Sequence, residues 1–111
     1  MNKIFLLFIT ISIFSFSPLS AAVYKGQKIF VKKCVDCHQA GQAFISKKKI
    51  RDWKNLMKKK GEPLADIHLK SDKAEKSWKY FNSKKYNKES KDLKQFLVEY
   101  AKDSGNVPAC D

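Results

Sequence analysis

The sequence predicts an all-α fold, a single small domain of about four helices. Apolar residues recur at helical spacing along its second half, as at Leu93, Phe96, Leu97, Tyr100 and Ala101. No segment alternates apolar and polar residues between two turn signals, so no sheet is expected. At 111 residues the chain has room for one domain.

The first 22 residues stand apart. Lys3 is their one charge, residues 4–16 are a nearly unbroken apolar run, and Ser20-Ala21-Ala22 offers small residues for cleavage. This is the pattern of a secretory signal peptide, residues 1–22, ahead of a domain at 23–111. The apolar run is short for a bilayer span of about 20 residues, which makes a retained anchor the weaker reading. The domain is therefore expected outside the cytoplasmic membrane, in the periplasm.

Residues 24–34 read as a helix with Ile29 and Phe30 inward and Cys34 at its end. Residues 39–49 show no period and contain Gly41 and a Lys47-Lys48-Lys49 run, so they read as loop. Residues 50–60 read as a second helix through Ile50, Trp53, Leu56 and Met57. Gly61 should end it and Pro63 should stop its continuation, leaving 62–70 as a loop that carries His68. Ser71 is a suitable N-cap for a third helix, with Asp72 and Glu75 in its first turn and Ala74, Trp78 and Phe81 inward. Residues 83–89 read as a polar break before the last helix, at about 90–102, which Gly105 and Pro108 follow.

Charge narrows the function classes. The chain carries 23 basic and 11 acidic residues, net +12. Residues 23–111 lack only Lys3 of these, so they carry +11 (22 basic against 11 acidic). An aromatic content of 13% is too high for a chain that stays disordered. A domain of about 90 residues has a modest core and often needs a covalent or prosthetic staple.

Cys34-Val35-Asp36-Cys37-His38 supplies one. In an exported chain, C-x-x-C-H reads as an attachment site for haem c. Two thiols three positions apart can bond the two vinyl groups of one porphyrin edge, and the next residue then offers an imidazole to the iron. A zinc site would need a further ligand pair, and only His68 and Cys110 remain. A thioredoxin-like dithiol would need a strand before the motif, and its flanks are helical.

Gly26-x-x-Ile29-Phe30-x-x-x-Cys34-x-x-Cys37-His38, followed by Leu93-x-x-Phe96-Leu97-x-x-Tyr100, resembles a small class I monohaem cytochrome c of the bacterial periplasmic type. The resemblance covers both ends of the domain and is poor over residues 40–88. It implies that the first and last helices cross beside the haem, with Gly26 and Phe30 meeting Phe96 or Tyr100. It implies a covalent haem c held by Cys34 and Cys37, with His38 an axial ligand of the iron. The family usually takes its second axial ligand from a Met before the last helix, and here no Met follows Met57. His68, in the loop position, is the favoured sixth ligand and Met57 the alternative; an open iron position is the third reading.

The expected function is single-electron transfer between respiratory redox partners, with no catalytic residues and no enzymatic role. Two other readings stay open. One is a haem-based gas sensor or peroxide-reducing enzyme with an open iron. The other is a haem subunit docked permanently on a membrane oxidase or reductase. Clustered lysines at 47–49, 58–60 and 84–85 point to acidic partner proteins or an anionic membrane surface. Export argues against nucleic acid. A monomer is expected. Cys110 is left over, as a free thiol or the site of an intermolecular bond.

Overall fold

The computed structural model describes residues 12–13 and 17–106. Among them are six α-helices, a 3-10 turn and no strand. The four predicted helices are all there, and two further ones join them, a single turn and a helix of 12 residues. Most of the apolar run at 4–16 lies outside the described residues, as does Cys110.

Helix α1 (Pro18–Lys33) starts ahead of the predicted residue 24. Pro18 sits in its first turn, where a missing N–H leaves no bond unmade, and no breaker follows. Its end is closed by Cys34, whose N–H donates to the Phe30 carbonyl at 2.8 Å. The 39–49 stretch is not all loop. A single helical turn, α2 (Gln42–Ile45), follows Gly41 at φ 58°, because Ile45 is drawn fully into the core. Helix α3 (Ile50–Leu56) ends at Met57, whose φ and ψ of −99° and 9° leave the helical region.

The largest correction falls on residues 62–70, which are helix rather than loop. Lys59, Lys60 and Gly61 turn left-handed, at φ 48°, 56° and 76°. The Gly61 N–H closes that turn on the Met57 carbonyl at 3.2 Å. The chain then resumes a right-handed helix, so that α4 (Lys58–Leu69) contains Pro63 in the first turn after the kink. Proline is tolerated there because first-turn N–H groups have no partner within the helix.

Ser71 makes no side-chain cap. A 3-10 turn (Asp72–Ala74) leads into α5 (Glu75–Phe81) instead. The polar break at 83–89 shrinks to Asn82 and Ser83, because α6 runs Lys84–Glu99. The Ser83 hydroxyl accepts the Tyr86 N–H at 3.2 Å, and the buried Tyr86 ring gives this polar first turn an inward face.

Helices α1 and α6 make the most extensive packing of the fold. At their crossing a Cβ on Gly26 would collide with the Asp92 carbonyl and stand 2.6 Å from the Phe96 Cβ. The absence of a side chain is what lets the two backbones touch. One turn on, the Phe30 and Phe96 rings lie 5.6 Å apart. Of the predicted stripe, Leu93, Phe96 and Leu97 on α6 and Ala101 just beyond its end are buried, while Tyr100 is half-buried.

Candidate functional site

Between this helix pair and the α3–α5 segment lies a cavity of about 400 Å³. Phe30, Phe44, Trp53, Leu64, Phe81 and Leu97 are among the apolar residues of its wall. Cys34, Cys37, His38 and His68 also line it, so four of the five predicted site residues meet there. Met57 does not. It is 3% exposed, packed in the core, and its Cε lies 3.2 Å from the place of a Cβ on Gly61.

The two imidazoles face one another with ring centres 6.1 Å apart and planes turned by 84°. Each is braced alike. His38 stacks on Phe44 at 4.1 Å, and Phe44 meets Trp53 edge-on at 6.1 Å. The Trp53 indole N–H donates to the Ile45 carbonyl at 2.9 Å, which ties this wall to α2. On the other side His68 stacks on Phe81 at 4.3 Å. There the Trp78 indole N–H donates to the His68 carbonyl at 2.8 Å.

The His68 ring also has a defined tautomer. Its Nδ1 lies 2.8 Å from the Leu64 carbonyl one turn earlier. A carbonyl only accepts, so Nδ1 carries a proton, and in the neutral ring Nε2 is the nitrogen with the lone pair. Burial first, and the neighbouring His68 second, hold His38 below the ordinary imidazole range. Burial, and then Cys37, push the Cys34 thiol up to about 12, whereas Cys37 lies exposed on the rim.

These residues fit a haem. Two metal–imidazole bonds of about 2 Å, end to end with half a ring behind each, span roughly 6 Å, close to the observed separation. An apolar slot between the imidazoles suits a flat macrocycle, and both cysteines stand on the wall that leads into His38. Among the described residues no three His, Cys, Asp or Glu side chains converge as a metal cage, which counts against the zinc reading.

Sequence reasoning missed the bracing groups. Phe44 lay in a stretch read as loop, where Ala43-Phe44-Ile45 between Gly41 and the lysines was the available signal. Periodicity places Trp78 and Phe81 inward but does not tell which side chain an inward residue meets.

A family model described as Cytochrome c matches residues 23–102. No curated protein and no solved structure matches the chain.

Proposed function

The chain belongs to the cytochrome c family, and on that premise we propose that it is an exported, periplasmic carrier of single electrons whose haem iron sits between His38 and His68. Its cofactor is haem c, covalently bound. When bound, this group supplies one-electron exchange at its iron. The chain's residues would do the rest: Cys34 and Cys37 would hold one edge, His38 and His68 would each offer an imidazole nitrogen to the iron, and the apolar wall would keep water away.

The observation that carries this reading is the pair of facing imidazoles, each stacked on a phenylalanine, across an apolar slot bordered by both cysteines. With both axial positions filled from the protein, no site is left for gas or peroxide. That favours electron transfer over a sensor or an enzyme. Two imidazoles also set a lower potential than an imidazole–methionine pair.

A second groove supports an acidic partner, such as an acidic face of a membrane oxidase or reductase. Lys32, Lys33, Lys76, Lys79 and Lys85 line it beside Cys37, with Asp36 the one carboxylate in its wall. Asp36 is paired to Lys76 at 3.7 Å in the open, where such a pair is worth little. The groove places positive charge beside the cysteine through which one haem edge would be attached. The protein is proposed to meet such partners as a monomer. No described helix is long and apolar enough to cross a membrane.

The test is an absorption spectrum of the purified protein, oxidised and reduced, with a haem stain on a denaturing gel. Low-spin spectra in both states, no band near 695 nm and a stained band at the mass of the processed domain, residues 23–111, are expected. Replacing Cys34 and Cys37 together by Ala should make the haem extractable by acid acetone. A high-spin ferric spectrum would return the reading to an open iron.

A further inference from the structure

We propose that Trp78 is a positioning residue for the sixth iron ligand, closing that position against outside ligands by fixing the backbone of His68. This rests on the assignment of His68 to the iron.

The imidazole is controlled at three points. The Leu64 carbonyl fixes the rotation of the ring through Nδ1, and Phe81 covers one face. Neither of these holds the Cα from which the ring hangs, since Leu64 belongs to the same helix. His68 lies in the last turn of α4, where carbonyls have no partner within the helix and the chain frays. Trp78 supplies the missing restraint from a different element. Its indole N–H is shared between the His68 carbonyl at 2.8 Å and the Ser71 carbonyl at 3.2 Å. The His68 carbonyl also accepts the Ser71 N–H at 3.1 Å, so both its lone pairs are used. The end of α4 and the turn after it are thereby clasped to α5.

The clasp bears on the iron because a ligand that swings away leaves a position open. The apparent affinity for an external ligand scales with the fraction of molecules in that open state. Losing one neutral hydrogen bond from the closed state should raise that fraction about five- to tenfold. The bond lies in the His68 main chain, so the chemistry of the ligand itself is unchanged.

The experiment uses the purified holoprotein and titrates the ferric form with cyanide. Trp78→Phe keeps an aromatic ring and loses the donor; its apparent cyanide affinity should rise about five- to tenfold. Trp78→Gln carries an amide N–H the same number of bonds from Cα as the indole N–H, and should fall between Phe and wild type. Ser83→Ala removes the side-chain cap of α6 and lowers global stability without touching His68; its cyanide affinity should stay within about twofold of wild type. If Ser83→Ala matches Trp78→Phe, or Trp78→Phe matches wild type, the clasp is overturned while His68 keeps its place. Should Trp78→Phe fail to fold, Trp78→Leu, which also loses the donor, takes its place, and wild-type cyanide affinity in that variant would overturn the clasp. His68→Ala completes the set. If its low-spin spectrum is unchanged, the ligand assignment falls and the clasp with it.

Discussion

Leu64 shows how much one carbonyl can decide. By accepting from Nδ1 of His68 it leaves Nε2 as the nitrogen free for metal. No such partner aims Met57, which packs against Gly61 in the core. His68→Ala should therefore turn the ferric spectrum from low to high spin or to a new ligand. Met57→Leu keeps apolar volume, should leave the spectrum nearly intact and should cost less than about 1.5 kcal/mol. The reverse pair of outcomes, read in the visible spectrum, would move the ligand to Met57. Gly26 is the other residue whose chemistry is decided by contact. Gly26→Ala puts a methyl into the Asp92 carbonyl, and backbone yields less readily than a side-chain tip. A loss of about 1–3 kcal/mol is expected in denaturant unfolding of the holoprotein. At this scale the sequence is informative about chemistry: the C-x-x-C-H motif and the one further His single out four side chains that do meet in one cavity. The braces were not, since Phe44, Trp78 and Phe81 look like any inward aromatic until the chain is folded.

Among the elements, α4 is the one that sequence signals misread. Gly61 and Pro63 are strong punctuation, yet α3 already ends at Leu56, and neither residue shows that a helix resumes directly after the left-handed turn. The restart depends on the left-handed turn at Lys59, Lys60 and Gly61, held by the Tyr86 hydroxyl donating to the Gly61 carbonyl at 2.6 Å. By contrast α1 and the core face of α6 were legible because long amphipathic stripes outweigh local exceptions. The turn yields two predictions. A left-handed conformation is costly for a lysine and free for glycine, so Lys60→Gly should stabilise the protein by up to about 1 kcal/mol in thermal unfolding. Tyr86→Phe should cost about 0.5–1.5 kcal/mol near pH 7, because it removes a buried hydrogen bond to the Gly61 carbonyl. Burial pushes the Tyr86 hydroxyl well above its ordinary value of 10.0. Its protonated form in the fold thus contributes stability that is complete below about pH 10 and is lost as pH rises toward the folded value. The gap between wild type and Tyr86→Phe should accordingly narrow above pH 10. A gap independent of pH in that range would show that the hydroxyl is not held in its neutral form.

At the scale of the whole molecule, charge and shape work on the same side. The domain carries +11 over residues 23–111, far more than two haem propionates offset. Net charge alone would steer any anion, from any direction. The lysine groove beside Cys37 makes the stronger claim that steering has an address. The two are separable with small redox probes and paired charge reversals. Oxidation of the reduced protein by ferricyanide, an anion, should slow as salt is raised, because the Debye length shrinks to about 8 Å near physiological ionic strength. Oxidation by the cation hexaammineruthenium should quicken instead. Lys76→Glu with Lys79→Glu, and Lys58→Glu with Lys60→Glu, change net charge by the same amount. The first pair lies in the groove and the second lies outside it, in the exposed start of α4. If electrons leave through the edge near Cys37, the groove pair should slow ferricyanide several-fold more than the α4 pair at low salt, and the two should converge at high salt. Equal slowing by both pairs would mean that only the total charge steers, and the groove would then be solvated surface.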